Sequence, residues 1–208
     1  SEGVKVTGET CPHYLYFNDS DLERIGPEAK CGPPLRPAEI VEQLWQEVMA
    51  GRVDTIGSDH CPCPPEMKNA GQENIWKAWG GITGIQAMLP VLLTEGYHRR
   101  GLSLSEVVKM TSWNPARRFG LYPKKGNLNP GADADFTVVD LDREWTFSDQ
   151  DMLSRYPLSP YRGAHFKGAV LSTYVRGQKV FENGKITVEP GYGEVLRRCS
   201  ADSFFEQA

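Results

Sequence analysis

The chain has 208 residues, 39% of them hydrophobic and 24% charged, with a formal net charge of -4. These are ordinary globular values for one large domain or one and a half, and they exclude a disordered or low-complexity protein. The mild charge gives no electrostatic footing for nucleic acid or an anionic membrane. No stretch is apolar for long enough to span a bilayer, and the start lacks a signal-peptide pattern.

In chain order, residues 4–7 alternate and are β-rich, which predicts a strand that leaves at Glu9-Thr10-Cys11-Pro12-His13. His13 reads as a loop histidine hydrogen-bonded to a neighbour rather than a metal ligand. Asn18-Asp19-Ser20 caps a short helix through Leu22 and Ile25. Lys30-Cys31-Gly32-Pro33-Pro34 cannot be helical, because its prolines remove amide donors and fix the backbone. Such a rigid loop, with exposed backbone groups, suits either recognition of a small polar ligand or a plain connection. Residues 37–50 place Ile40, Val41, Leu44, Trp45 and Val48 at helical spacing, and Gly51 stops that helix.

A second strand over residues 53–57 then runs into Gly57-Ser58-Asp59-His60. The order strand, loop, helix, strand predicts parallel strands with a covering helix. A buried strand that ends in a carboxylate and an imidazole delivers them where α/β enzymes keep their active sites. Taken locally, the commoner reading of an Asp-His pair is plainer: Asp59 caps a turn and His60 satisfies a loop carbonyl.

Residues 64–74 read as a long exposed loop. Trp79-Gly80-Gly81-Ile82-Thr83-Gly84 permits close backbone approach, but its glycine spacing matches no phosphate-binding pattern. Helices are expected over 85–94, over 103–111 with Ser103 and Glu106 as a capping box, and from Asn114 to near Gly120. The character changes after Lys125. A strand is expected over 135–141, then a hairpin of 169–176 and 179–182 around Gly177-Gln178, and a turn at Asn183-Gly184. The tail 197–208 is polar and expected to be loosely held. The organisation read from the sequence is therefore 1–124, 125–196 and a tail 197–208.

Five cysteines stand at 11, 31, 61, 63 and 199. An odd count does not suggest a disulfide framework and is read as a reducing, cytoplasmic setting. Cys61-Pro62-Cys63 is poorly spaced for structural zinc.

The stretches GETCPHYL, KCGPPLR, GSDHCPCPPEMK, KAWGGITGIQ, WNPARRFGLYPKKGNLNPGADADFTVVDL and SPYRGAHFKGAVLSTYVRG resemble, in this order, the cyclic amidohydrolases, and within them the allantoinase branch. The resemblance runs from about residue 1 to about residue 197. It implies an α/β fold: a (β/α)8 TIM-type barrel with a small β-sandwich built from both chain ends. Residues 4–10 and 53–57 would be the last two barrel strands, and the segment from Asp135 onward part of the sandwich. Two of eight strands cannot close a barrel, so the isolated chain is expected to expose strand edges and apolar surface.

The resemblance further implies a binuclear metal centre, usually Zn2+ with Co2+ or Mn2+ as alternatives, that activates water for attack on a cyclic amide or ureide. Among the family's ligands only the strand-eight Asp has a match here, Asp59, which would bind metal and carry the proton. Gly32, His60 and Gly81 would bind substrate. The chain has no His-x-His, so the fragment alone is expected to be inactive, with the amino-terminal part of the barrel as its missing partner. Allantoin to allantoate is the expected reaction. A dihydropyrimidinase or hydantoinase, a dihydroorotase, or a non-catalytic assembly protein of the same fold is the alternative. A homo-oligomer, a tetramer, is implied as well.

Overall fold

Two short parallel strands organise the first half of the chain. In the computed structural model, which describes residue 4 and residues 6–198, β1 (Glu9–Thr10) pairs with β2 (Thr55–Ile56) in the register Glu9↔Thr55 and Thr10↔Ile56. Thr10, Thr55 and Ile56 are buried. The pair is clamped beyond its ladder: Gly8 N donates to the Asp54 carboxylate at 2.7 Å, Thr55 Oγ1 donates to Glu9 Oε2 at 2.8 Å, and Asn114 Nδ2 donates to the Asp54 carbonyl at 2.6 Å.

Between the strands lie α1 (Pro12–Tyr16), α2 (Asp19–Ile25), a 3-10 turn (Gly26–Ala29) and α3 (Ala38–Met49). The parallel pair with its covering helix is as the sequence pattern requires. The first strand is shorter than expected: Val4 and Val6 are exposed and outside it. A strand needs a partner as well as an alternating pattern. Among the described residues its one strand neighbour is β2, and Pro12 at once withdraws an amide and starts α1. The expected strand exit is thus a helical turn. α2 is closed by Asn18, whose side chain accepts from Asp21 N while Asp21 Oδ2 accepts from Asn18 N.

α3 buries Trp45 and Val48 against Leu15, Ile56, Leu92, Leu102, Val107 and Met110. Trp45 Nε1 donates to the Leu15 carbonyl at 2.8 Å, which pairs the indole's one polar atom inside the core. Gly96 lies so close that an added Cβ would stand 3.3 Å from the Trp45 ring.

After β2 the expected long exposed loop contains a helix, α4 (Pro65–Asn69), and its Lys68 is buried. α5 (Met88–Val91) continues as a π-helical turn (Leu92–His98), four residues beyond the sequence boundary. Pro90 is accommodated because it falls in the first turn, where amides lack intrahelical partners. Ser103 Oγ accepts from Glu106 N at the start of α6 (Leu104–Val108), which passes through a π-helical turn (Lys109–Trp113) into α7 (Asn114–Arg118).

The second half carries an antiparallel sheet of β3 (Phe136–Thr146), β4 (His165–Val175), β5 (Gln178–Glu182) and β6 (Lys185–Ile186), in that order. β3 runs past Leu141 and β4 starts before Ala169, because Glu144, Trp145 and Thr146 pair with Lys167, Phe166 and His165 across an irregularity. The hairpin turn is Arg176-Gly177, one residue earlier than expected. Both residues have positive φ (49° and 77°), the twist a two-residue hairpin needs. The sheet packs on the helical half at Gly168, where a Cβ would fall 2.8 Å from Leu93, and Thr94 Oγ1 accepts from Lys167 N at 2.9 Å. Phe147, Tyr161 and Phe166 share a buried cluster with Phe17, Ile82 and Val91. An open groove of about 1050 Å3 lies between α5 and the sheet, with Leu89, Val170 and Phe181 in its lining. Among the described residues no helix is long and apolar enough to cross a membrane. Residues 199–208 of the tail lie outside the described residues.

Candidate active site

β1 and β2 end at one edge, where Gly57 N donates to the Thr10 carbonyl at 3.0 Å. The next residues of each strand therefore converge: Cys11 and His13 from the start of α1, and Ser58, Asp59 and His60 after β2. Asp59 adopts a positive φ of 43°, a region that non-glycine residues seldom enter and that Asp tolerates better than most. Its carboxylate is half exposed, and Asp59 Oδ2 lies 4.0 Å from His13 Nε2.

His13 is only 1% exposed, and its Nε2 has no hydrogen-bond partner among the described residues. The loop histidine expected to bond a neighbour is thus a buried imidazole with an orphaned nitrogen facing a carboxylate. Burial holds its pKa down to about 4, with the Asp59 charge opposing, so the ring is neutral at neutral pH. The Cys11 thiol is pushed up to about 12, chiefly by burial and next by Asp59.

One donor atom each from Cys11, His13 and Asp59 lies within 4.8 Å of the others, a group that could hold a metal ion. A neutral imidazole with a free nitrogen and an exposed carboxylate are ready ligands. A cation there would also reverse the local charge that contributes to keeping the thiol protonated.

Two glycine loops wall this edge. The first is Cys31-Gly32-Pro33, with a cis Gly32–Pro33 bond, held where Tyr14 OH donates to the Pro33 carbonyl at 2.9 Å. The second is Gly80-Gly81-Ile82, where Cys61 N donates to the Ile82 carbonyl at 2.9 Å and His60 bridges Ile82 in parallel. Gly81 has to be glycine, since a Cβ would meet Cys61 Sγ at 2.7 Å. Its amide donates to the Lys30 carbonyl at 3.0 Å, and its carbonyl accepts from Lys68 Nζ at 2.7 Å. Gly81 thus spends its own polar groups on loop closure, while the amides of Gly32 and Gly80 pair with no described residue. His60 Nδ1 accepts from Gly84 N and Ile85 N at 3.3 and 3.4 Å, which places the proton of the neutral ring on Nε2. Burial lowers its pKa.

The structure therefore gathers Asp59 and His60 after β2, with Gly32 and Gly81 on the loops around that edge. It adds Cys11, His13 and Lys68. The sequence signal for His13 was its place three residues past a strand end. Lys68 gave none.

The family model described as "Amidohydrolase family" matches residues 35–180. The chain is 52% identical over 188 residues to an allantoinase of Rubrobacter xylanophilus, covering 90% of this chain and 41% of that protein. It is 48% identical to an allantoinase of Deinococcus radiodurans, covering 94% and 42%, and 41% identical to an L-hydantoinase of Paenarthrobacter aurescens, covering 95% and 43%. Among solved structures, the L-hydantoinase (dihydropyrimidinase) from Arthrobacter aurescens superposes with a TM-score of 0.90 at 41% identity, over 93% of this chain and 43% of that one. The D-hydantoinase from a Bacillus sp. AR9 also gives 0.90, at 31% identity over 99% and 45%. The chain spans about two fifths of the length of the curated relatives it matches.

Proposed function

The chain belongs to the amidohydrolase family, and from that premise we propose that the whole protein hydrolyses a cyclic amide or ureide ring, with allantoin, opened to allantoate, as substrate. The observation that carries this reading is the convergence of an exposed Asp59 carboxylate, a buried unpaired His13 nitrogen and two glycine loops at one strand edge. The 52% and 48% identity to proteins named allantoinase supports allantoin as the substrate.

In this reading β1 and β2 are the last two strands of a (β/α)8 barrel. Residues 1–124 are its carboxyl-terminal part, residues 125–196 a share of a β-sandwich, and 197–208 a tail. Asp59 is a ligand to one metal of a binuclear centre, with Zn2+ the first choice and Co2+ or Mn2+ able to substitute. When bound, the metal supplies the Lewis acidity that makes water a nucleophile at neutral pH. Asp59 takes up the proton released from the attacking water and hands it to the leaving ring nitrogen. Neutral His13 turns its Nε2 edge toward that carboxylate. Backbone around Gly32 and Gly81 binds the ring, Gly32 and Gly80 being the amides with donors to spare, while His60 holds the second loop by its Nδ1 and lines the pocket.

One carboxylate and one imidazole cannot hold two metals, so the remaining ligands come from an amino-terminal barrel portion, and the 208 residues alone do not turn over. A homo-tetramer, inferred from the sequence resemblance, is checked by light scattering.

The second reading, a hydantoinase or dihydropyrimidinase, is favoured by the 41% identity to an L-hydantoinase. The experiment is steady-state hydrolysis of allantoin, hydantoin, dihydrouracil and dihydroorotate by the full-length protein, with and without Zn2+. Allantoin ranking first in kcat/KM supports the proposal, and hydantoin or dihydrouracil ranking first replaces it with the second reading. No ring opening by the folded, metal-loaded protein leaves only a non-catalytic role.

A further inference from the structure

Lys68 stands where a lysine is costly. It is 4% exposed, and its Nζ donates to the carbonyls of Lys30 at 2.9 Å and Gly81 at 2.7 Å. No described carboxylate pairs with it. Burying an ammonium without a counter-ion is tolerated only when its donors are satisfied, and an apolar side chain of similar length would fill the same space without that penalty. Its location accounts for the charge.

The Lys30 carbonyl that receives Lys68 also receives the Gly81 amide at 3.0 Å, so one ammonium closes a junction between the two glycine loops. Lys30 in turn reaches outward, its Nζ donating to the carbonyls of Ala78 at 2.7 Å and Trp76 at 3.1 Å. Trp79 N is held by the Met67 carbonyl at 2.9 Å. The arm that leads into Gly80-Gly81 is thus pinned on both sides, with Lys68 as the inner pin.

A trans peptide is planar, so fixing a carbonyl fixes the direction of the N–H on its other side. Turning the Lys30 carbonyl onto Lys68 therefore orients the plane that enters Cys31-Gly32. Turning the Gly81 carbonyl onto it orients the plane that enters Ile82, the residue that bridges His60 beside Asp59. The geometry points to Lys68 as the positioning residue of the ring pocket: its ammonium locks the Lys30 and Gly81 peptide planes so that the backbone around Gly32 and Gly80 stands preorganised for a cyclic ureide. The inference rests on the ring-binding role proposed above for these loops. Preorganisation of this kind acts on affinity, because the loops need not be ordered when the ring arrives.

The test compares wild type, Lys68→Met and Lys68→Gln in the full-length, zinc-loaded protein, with exposed Lys109→Met as control. KM and kcat are measured for allantoin and hydantoin, together with metal content and the thermal transition. Lys68→Met keeps length and loses both hydrogen bonds, and is expected to raise KM about tenfold or more while kcat stays within about threefold and metal content is unchanged. Lys68→Gln returns a neutral donor and recovers part of the loss. A wild-type KM in Lys68→Met overturns the inference, as does a loss confined to kcat. Loss of metal or of the transition in both variants makes Lys68 a folding residue and overturns it equally. The failures are distinguishable: a wild type that opens no ring sinks the function reading and this one with it, whereas an active wild type with an unaffected Lys68→Met sinks this one alone.

Discussion

His13 Nε2 faces Asp59 Oδ2 across 4.0 Å with no hydrogen bond to any described residue, although the imidazole is almost wholly buried. A buried nitrogen without a partner costs free energy that a purely structural histidine would avoid by pairing. In the proposed reading a third participant, a metal, a water or the substrate, satisfies that nitrogen. His13→Ala in the full-length protein is expected to keep the fold and to lower kcat/KM or metal affinity about 10- to 100-fold, the usual cost of removing a group that supports a metal ligand. Steady-state kinetics with metal analysis checks it, and wild-type values in both would assign His13 to packing alone.

The same histidine sets an acid limb of stability in the metal-free protein. Unfolded, its imidazole takes a proton near pH 6.5, whereas folded it resists until about pH 4. Between these values the unfolded state binds more protons, so stability is full above about 6.5 and falls as pH drops toward 4, by up to about 3 kcal/mol. Thermal unfolding across pH 4–7 should show this slope in the wild type and a shallower one in His13→Gln.

Gly81→Ala forces a Cβ to within 2.7 Å of Cys61 Sγ and Cβ. We expect at least about a tenfold fall in kcat/KM, since the loops must part by a fraction of an ångström where positioning matters. Adding Cys61→Gly to the same chain removes both clashing atoms and should restore most of the loss. A double variant no better than Gly81→Ala would show that the clash is not the cause.

Trp45 anchors the helical half, fully buried and bonded to the Leu15 carbonyl. Trp45→Ala should cost about 3–5 kcal/mol. Trp45→Phe, which keeps most of the volume but strands the carbonyl, should cost about 1–3 kcal/mol. Urea unfolding of the full-length protein reads both.

Several fold elements were legible in the sequence because their patterns are local, whereas the roles expected of Asp59 and His60 came from the family resemblance. The run ending in Gly57-Ser58-Asp59-His60, the Asn18 cap, the apolar spacing of α3 and the Asn183-Gly184 turn each carry their own physical signal within a few residues. His13 and Lys68 do not. That His13 meets Asp59 depends on the pairing of Thr10 with Ile56, 46 residues apart. Lys68 lies in a polar, proline-rich stretch that reads as exposed, and it is buried only because carbonyls from Lys30 and Gly81 arrive around it. The extra length of β3 was hidden for a related reason: Asp142 and Arg143 interrupt the strand pattern, and Glu144, Trp145 and Thr146 rejoin the sheet only because Lys167, Phe166 and His165 supply the facing edge.

The central claim is that Asp59 carries a proton for hydrolysis of a cyclic amide or ureide. It is tested most directly by the rate of allantoin ring opening in the full-length, zinc-loaded wild type beside Asp59→Asn, with metal content measured on the same samples. The account predicts ring opening by the wild type and a loss of about a thousandfold or more in Asp59→Asn, since the amide can neither accept the proton nor hold the metal as a carboxylate does. An Asp59→Asn variant that retains metal and opens the ring at the wild-type rate would contradict it.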